Sequence, residues 1–542
     1  MAHGTAAGTE RISDIIPAFG FFNGLCGCIT PVDTQLFLSA SDPTSGVELW
    51  RTDATPEGTW LVKDIIPGPA SSAPNAVGAI DATLYFSAME SPTGRELWRT
   101  TNSGQDAEML ANLAPDVGDS EPAELTPVGD RVFFRTTNGL NGHELWVSDG
   151  TEVGTHLVKD IAKGPESGFP HQLKNFNGAL VFAADDGLNG VELWKSDGTT
   201  EGTVMVKDVN PGPAGSSPDL LVSIGEGLLF SAFEPATGRE IWRSDGTEQG
   251  TFLVEDTRPD AREDARHPGP SGFARVGTEM FFVVNRPFGG EQLWKTDGTS
   301  EGTMLVGDQL AGNHTHGPDE LTDVNGTLFF RIGNELWRSD GTTTGTILVA
   351  TLPLMHPYED RQFQLTSLEG TLVFAADDDA LGRELWVSDG SAPGTLMLLD
   401  INPGRPGAEP DAFTVSNGVL FFSADDGVHG REIWRTDGTR SGTALVKDIF
   451  PGPLGSHPTG IVAVGDKIFF QACRPDAGCE VWESDGTEAG TDRVADSLPG
   501  PLSSNPASFT LAGQHVYFAA DDGHMGRELW ALPFELGSAA VP

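Results

Sequence analysis

Short apolar runs recur along this chain at a nearly constant interval, and each run has the length of a β-strand. In residues 219–256, two apolar runs at 220–224 and 228–233 are followed by Glu240-Ile241-Trp242 and by a fourth stretch at 251–256. β-Branched and aromatic residues fill these runs, and Gly, Asp, Asn or Pro bound them, as is typical of strands joined by tight turns. The pattern predicts four short antiparallel strands per repeat and no helix of any length.

One tryptophan anchors each repeat, and there are eleven such anchors: Trp50, Trp98, Trp146, Trp194, Trp242, Trp294, Trp337, Trp386, Trp434, Trp482 and Trp530. Most successive anchors lie 48 residues apart, and the intervals that follow Trp242 are 52, 43 and 49 residues. A period of this length indicates a stacked-repeat or propeller architecture.

The two ends of the chain complement each other. Residues 1–15 match the outer strand of a repeat, residues 505–532 match the other three strands, and residues 533–542 form a tail. Pairing these ends removes the exposed sheet edges that invite aggregation. The sequence therefore predicts an all-β fold, a β-propeller of four-stranded antiparallel blades that forms one 11-bladed ring over residues 1–542. Two smaller propellers in tandem are the alternative, with the crossover near the charged insertion at 260–270.

The turn between the third and fourth strands is written Asp-Gly-Thr in most repeats, as at Asp245-Gly246-Thr247. Gly adopts a positive φ at little cost and the Asp bonds the backbone two residues on, so hairpin geometry explains the motif. Residues 53–55 replace the Gly by Ala54, and residues 101–103 lose the motif altogether. We expect different turns in those two hairpins.

Composition limits the partners. The chain carries 78 acidic and 33 basic residues, a formal charge of -45 and a pI near 4.4. Nucleic acids are excluded as partners and anionic membrane surfaces are disfavoured, because both are bound mainly through Lys and Arg. No apolar run approaches the roughly 18 residues that insertion into a membrane requires. Cations, neutral glycans and basic protein surfaces remain as candidate partners.

The four cysteines form two close pairs. Cys473 and Cys479 flank a loop between the second and third strands, where opposed hairpin positions come within disulfide distance. Cys26 and Cys28 suit either a strained disulfide or two thiols. A zinc site made by all four is disfavoured by their spacing. An even number of cysteines in close pairs favours an oxidising compartment.

Paired aspartates in the loop between the second and third strands are the strongest candidates for chemistry. They are Asp185, Asp186, Asp377, Asp378, Asp425, Asp426, Asp521 and Asp522. Calcium takes six to eight oxygen ligands, and clustered carboxylates supply them, so calcium is the candidate ion. The alternative is that these residues are solvated turn formers.

Two other recurring residues favour structural roles. Glu192 and its equivalents occupy one internal position in nearly every blade, so we expect them to pair with a residue such as Lys207 or to cap backbone amides. Trp194 and its equivalents should pack between blades, with a role as a sugar platform as the alternative.

Histidines also recur in the links between blades. Because each link belongs to a different blade, the ring geometry keeps these side chains from converging on one metal ion; they are His171, His267, His314, His316, His356 and His457. The sequence contains no nucleophile elbow, zinc-protease motif, phosphate loop or dinucleotide fingerprint in the strand and helix setting that each of these motifs needs.

The spelling ELWKSDGT at residues 192–199, with its variants elsewhere, resembles the bacterial ELWxxDGT repeat family of secreted and surface-associated proteins. The resemblance covers essentially the whole chain and implies an extracellular propeller with no catalytic residues to carry over. We expect a non-catalytic protein that binds a protein or glycan ligand through its acidic loops, with calcium as the candidate ion. One alternative is a hydrolase or lyase with its site at the central channel mouth, near Asp319, Glu320 and His316. The other is a structural surface or matrix protein.

Overall fold

A computed structural model describes residues 10–11, 16–17, 29–42, 44–101, 104–114, 120–258, 269–286, 290–306, 317–353, 363–494, 496–512, 515–521, 523 and 527–533. The secondary structure in these ranges is almost entirely β-strand and turn, and it includes no α-helix. Among the same residues, no helix has the length and apolar character needed to cross a membrane.

The strands form eleven antiparallel sheets, and β1 (Glu10–Arg11) belongs to the last of them. The first five sheets comprise β2 (Ile16–Pro17), β3 (Ile29–Val32), β4 (Gln35–Ser41), β5 (Glu48–Thr52) and β6 (Trp60–Lys63); β7 (Asn75–Ile80), β8 (Thr83–Glu90), β9 (Gly94–Thr101) and β10 (Asp106–Ala111); β11 (Ala123–Val128), β12 (Arg131–Thr137), β13 (His143–Ser148) and β14 (His156–Lys159); β15 (His171–Phe176), β16 (Ala179–Asp185), β17 (Val191–Ser196) and β18 (Val204–Lys207); β19 (Asp219–Ile224), β20 (Gly227–Glu234), β21 (Gly238–Ser244) and β22 (Phe252–Leu253).

The remaining six sheets comprise β23 (Ser271–Val276), β24 (Glu279–Arg286), β25 (Gly290–Thr296) and β26 (Met304–Leu305); β27 (Asp319–Val324), β28 (Thr327–Ile332), β29 (Glu335–Ser339) and β30 (Ile347–Thr351); β31 (Thr366–Leu368), β32 (Thr371–Asp378), β33 (Gly382–Ser388) and β34 (Leu396–Leu399); β35 (Asp411–Ser416), β36 (Val419–Asp425), β37 (Arg431–Thr436) and β38 (Ala444–Lys447); β39 (Thr459–Val464), β40 (Lys467–Arg474), β41 (Gly478–Ser484) and β42 (Thr491–Arg493); β43 (Ala507–Ala512), β44 (His515–Asp521), β45 (Arg527–Pro533) and β1.

The second to tenth sheets are simple meanders in which neighbours in sequence are neighbours in space. In the first sheet β2 and β3 both pair with β4, so these two short strands share the position that one strand has in the others. In the last sheet β1 pairs antiparallel with β45, with Glu10 opposite Ala531 and Arg11 opposite Trp530. The fold class is the one that the repeats predict, an eleven-bladed β-propeller, and the predicted pairing of the chain ends is confirmed.

The chain divides into two compact units. The N-terminal unit contains residues Ile15–Pro270 and Thr296–Thr303, and the C-terminal unit contains Met1–Asp14, Ser271–Lys295 and Met304–Pro542. The first five sheets lie in the N-terminal unit. Sheets six to eleven lie in the C-terminal unit, apart from the turn that follows β25.

Apolar side chains fill the space between adjacent blades within a unit. Trp194 and Phe182 of the fourth sheet, with ring centroids 6.5 Å apart, pack against Val128, Phe133 and Leu145 of the third. Trp194 is 5% exposed, and the other buried anchors are similar. The prediction that the anchors pack between blades is confirmed. The sugar-platform alternative is wrong for these rings, because a buried ring has no face to offer a ligand.

The recurrent glutamate caps backbone amides. The carboxylate of Glu192 is fully buried and accepts hydrogen bonds from the amides of Val209, Asn210 and Ser216 at 3.2, 3.1 and 2.8 Å. Lys207 instead donates to a backbone oxygen of the next blade, that of Thr251, at 2.7 Å. The glutamate therefore fixes the interblade link to its own blade.

The links and the loops between second and third strands lie on one face of their blades, which we call the loop face. The link amides of Ser216 and Ser217 donate to the carbonyl oxygen of Val191, the first residue of β17. The Asp-Gly-Thr turns lie at the opposite ends of the same strands, as predicted.

The turn at Asp53 differs from the prediction. Its Oδ1 accepts hydrogen bonds from the amide and hydroxyl of Thr55 at 3.0 and 2.7 Å, and Ala54 has a φ of 75°. Asp245 makes the same two bonds to Thr247. The expectation of a different turn is therefore wrong here, because the aspartate hydrogen bonds impose the conformation even without Gly. Residues 102 and 103 of the second hairpin lie outside the described residues.

Cys473 and Cys479 stand opposite each other in β40 and β41 and form the predicted disulfide. Cys26 and Cys28 lie outside the described residues.

Candidate ligand-binding recess

The paired aspartates use their carboxylates to build their own loops. Asp185 Oδ1 accepts a hydrogen bond from the amide of Gly187 at 2.7 Å. Asp186 Oδ1 accepts from the amides of Leu188 and Asn189 at 2.9 and 2.8 Å. The alternative role as turn formers is thus directly visible at this loop.

The other pairs repeat this arrangement in part, through Asp425 and Asp426 in the ninth sheet, Asp378 in the eighth and Asp521 in the eleventh. Asp377 is 7% exposed and lies 4.0 Å from the Arg383 guanidinium. Asp522 lies outside the described residues. Within the described ranges, no three His, Cys, Asp or Glu side chains converge as a metal-binding group. Calcium binding at these loops stays a prediction.

A recess of about 390 Å³ opens on the loop face of the N-terminal unit, at the second and third sheets. Its walls come from the links before β7, β11 and β15, from the starts of β7, β9, β11 and β13, and from residues within β8 and β12. The lining residues are Ala73, Asn75, Ser87, Arg95, Glu121, Pro122, Ala123, Arg135, His143 and Phe169.

Phe169 projects from a link in a strained backbone conformation. It precedes Pro170, yet its φ is 45°, and its amide donates to the carbonyl oxygen of His143 at 2.9 Å. A residue before proline is restricted to extended conformations and a bulky residue rarely has a positive φ, so the repeat imposes this geometry. Phe169 is 50% exposed.

The same pre-proline position has a positive φ in other links while its side chain differs from blade to blade. The non-glycine members are Ala73, Glu121, Phe169, Ser217, Glu409, His457 and Asn505. Strained residues of this kind cluster at functional sites when the surrounding structure enforces them. In these seven links the repeat thus places side chains of different types at one strained position.

Arg135 covers one side of Phe169. Its guanidinium carbon lies 4.1 Å from the ring centroid, and its Nη1 donates to the carbonyl oxygen of Pro170 at 3.1 Å. Burial lowers the pKa of Arg135, and the charges of Glu124 and Glu121 oppose that shift. The group remains protonated at neutral pH, since an arginine pKa starts far above 7.

His143 stands edge-on to Phe169, with ring centroids 5.8 Å apart, and its Nε2 lies 3.7 Å from Oε2 of Glu121. Burial lowers the pKa of His143, and Glu121 raises it by less. Burial therefore favours the neutral imidazole. Its Nδ1 is buried and has no hydrogen-bond partner among the described residues.

Arg95 forms the opposite wall. Its Nη1 donates to the carbonyl oxygens of Ala73 and Ser87 at 3.0 and 3.2 Å and to the Ser87 hydroxyl at 3.3 Å. These bonds hold the guanidinium against the inner edge of the second sheet. The recess thus combines an exposed aromatic ring with fixed polar groups, as ligand pockets generally do.

A second recess of about 360 Å³ lies on the loop face of the C-terminal unit and includes Asp319 and Glu320, two of the predicted channel-mouth residues. The Arg331 guanidinium donates to both Asp319 oxygens at 2.9 and 2.5 Å and lies 3.2 Å from Glu320. Arg331 thus pairs with Asp319, whereas Glu320 also accepts hydrogen bonds from the amides of Phe363 and Leu365 at 2.6 and 3.0 Å. His316 lies outside the described residues.

Sequence reasoning missed the first recess because its residues come from several separate segments and occupy positions where the repeats differ. One signal was present, however. Aligning the links on their proline places Phe169, an aromatic residue, where other repeats have Ala, Ser, Gly, Glu, His or Asn.

No family model matches the chain, and no curated protein matches it either. One similar solved structure comes from an analysis of two prolyl endopeptidases, with 11% identity and a TM-score of 0.30 over 66% of this chain. A second is a puromycin hydrolase, with 15% identity and a TM-score of 0.24 over 76% of this chain. The chain spans 54% and 59% of the lengths of these structures. Neither likeness bears on the activity of this chain.

Proposed function

We propose that this protein is a non-catalytic, carbohydrate-binding β-propeller that takes a glycan on its loop face, with one sugar unit in the recess around Phe169. The observation that carries the proposal is the half-exposed Phe169 ring, which is held in a strained conformation within a rim of polar groups. A sugar ring needs an apolar surface for its C–H groups and converging hydrogen-bond partners for its hydroxyls. Phe169 supplies the first, and Arg95, His143 and Glu121 supply the second.

The arrangement of the polar groups supports a binding role over hydrolysis. The Ser87 hydroxyl accepts from Arg95, and the His143 ring contacts Phe169 and Glu121. A nucleophile needs a base within hydrogen-bonding reach. In this recess the hydroxyl and the imidazole belong to different contacts.

The proposal includes an extracellular or cell-surface location. The disulfide between Cys473 and Cys479 supports it, because disulfides persist mainly in oxidising compartments. The resemblance to the ELWxxDGT repeats points the same way.

Calcium is a separable part of the proposal. Asp185 and Asp425 use only Oδ1 in their turns, so each has Oδ2 available as an oxygen ligand. Calcium added to chelator-stripped protein should release heat saturably and raise the Tm, and Asp185→Asn should reduce both effects. A flat titration would remove calcium from the proposal without affecting the recess.

A glycan array followed by calorimetric titration tests the binding role. We expect binding by the full chain and its loss in Phe169→Ala. Val153→Ala is the matched control, since Val153 is 93% exposed in the same blade but lies in the turn on the opposite face. The proposal fails if no glycan binds, or if Phe169→Ala binds as well as Val153→Ala.

A further inference from the structure

One cross-strand pair differs between two blades in a way that points to the chemistry of the ligand. In the seventh sheet Asp319 stands opposite Arg331, and in the third sheet Ala123 stands opposite Arg135. The two pairs occupy the same register of the repeat, where the inner strand begins. The third sheet thus has the arginine without a carboxylate at the position opposite it.

Without a carboxylate opposite it, Arg135 has few partners. Arg331 is 3% exposed and makes two hydrogen bonds to Asp319 and a close contact with Glu320. Arg135 makes one hydrogen bond, to the oxygen of Pro170, and has no ion pair within 4.0 Å in the described part of the chain. Its Nε and Nη2 donate to none of the described residues. A partly buried guanidinium prefers a planar, bidentate oxygen partner, and a carboxylate has that geometry.

The recess also differs in charge from the rest of the molecule. The chain has a formal charge of -45, yet two guanidinium groups, those of Arg95 and Arg135, line this recess. The one lining carboxylate, Glu121, is 62% exposed and so remains solvated. At physiological salt, distant charges of the chain are screened beyond about 8 Å, so Arg95 and Arg135, with the opposing charges of Glu124 and Glu121 near Arg135, set the local potential.

From this missing carboxylate we infer that the sugar bound in the recess is a carboxylate-bearing one, a uronic acid unit, and that Arg135 binds its carboxylate in the place that Asp319 fills opposite Arg331. This inference rests on the proposed glycan-binding function. Phe169 then stacks beneath the guanidinium and limits its orientation, which makes the site selective for a planar anion beside a sugar ring.

The test uses the full chain and one oligosaccharide of uronic acid units in two forms, native and with its carboxyl groups reduced to alcohols. We expect the native form to bind at least about tenfold more tightly, since hydrogen bonds to charged groups are the strong ones. Arg135→Gln should remove that difference. Ala123→Asp should also abolish binding of the native form, because it supplies internally the carboxylate that the ligand would bring.

Ala123→Asp is the more informative variant because it reproduces a pair that this protein already contains, so folding should be preserved. Its Tm and far-ultraviolet circular dichroism check that. Equal affinity for the two forms would overturn the inference and leave glycan binding intact. Binding of neither form nor of any other glycan would overturn both proposals, as would Arg135-dependent binding of a peptide carboxylate alone.

Discussion

The amide of Phe169 donates to the carbonyl oxygen of His143 across 2.9 Å, and this bond holds Phe169 at a φ of 45° directly before Pro170. One hydrogen bond thus joins Phe169, the aromatic residue of the recess, to β13, the strand that carries the His143 imidazole. The hydrogen bond keeps the backbone of Phe169 in a strained conformation, and that conformation fixes the position of its side chain.

Comparing two variants of Phe169 isolates that strain. Phe169→Ala and Phe169→Gly both remove the ring, but only Gly relieves the positive φ. We expect the Gly variant to have the larger free energy of unfolding by about 1 kcal/mol. The left-handed conformation costs an L-residue about 1–2 kcal/mol, and the greater flexibility of Gly in the unfolded chain offsets part of that gain.

Urea denaturation of both variants measures the difference, and glycan titration should show that both have lost binding. Equal stabilities would mean that the backbone of this link relaxes away from the positive φ when the ring is removed.

The Asp-Gly turns provide a second test of backbone strain. Gly246 has a φ of 83° and open space where a Cβ would stand, so Gly246→Ala should cost about 1 kcal/mol through strain alone. Ala54 already has a φ of 75° in an equivalent turn and is buried. Ala54→Gly should therefore not destabilise the protein, although it removes a buried methyl group.

Thermal and urea unfolding would measure the free energy of unfolding of the two variants, which we expect to fall in Gly246→Ala and not to fall in Ala54→Gly. A clear loss of stability in Ala54→Gly would show that packing of the methyl group outweighs strain at that turn.

The periodic features of the fold were predictable from sequence, and the recess was not. Trp194 and Asp245 recur at a fixed spacing because every blade needs an interblade ring and a tight turn, so repetition alone reveals them. Arg135 and Phe169 occur at positions where the repeats differ, so repetition does not reveal them. They meet only in the folded protein, because they come from a strand and a link that are separate in the sequence. Ala54 shows a further limit, because the hydrogen bonds that Thr55 donates to Asp53 outweighed the preference of this turn position for Gly.

The disulfide between Cys473 and Cys479 closes a small hairpin loop with a sequence separation of 6 residues. Restricting the unfolded chain over so short a loop contributes about 2 kcal/mol. Replacing both residues by Ser should lower the free energy of unfolding by that amount. Dithiothreitol should lower the stability of the wild type as far, and any response left in the double variant would belong to Cys26 and Cys28.

If the double replacement leaves stability unchanged, the hairpin is held by its strand pairing and the disulfide contributes nothing at equilibrium.

The buried glutamates make stability depend on pH. Burial raises the pKa values of Glu144, Glu384 and Glu480 to about 7, although backbone amides donate to each carboxylate. A pKa raised above the unfolded value of about 4.5 means that the contribution to stability is fully present below pH 4.5 and is lost as pH rises through about 7. The free energy of unfolding should therefore fall between about pH 4.5 and about pH 7 and level off above that.

Denaturant titrations at several pH values measure that fall, and Glu144→Gln separates the buried group from the general effect of a highly acidic chain. The variant should be less stable at every pH, because the Gln side-chain amide cannot accept from the three backbone amides of Ile161, Ala162 and Gly168 with both of its terminal atoms. Its stability should nevertheless decline less steeply through pH 7 than that of the wild type, since one raised carboxyl pKa is gone. Parallel pH profiles would show that Glu144 keeps its charge state on folding and that the acidic surface alone produces the dependence.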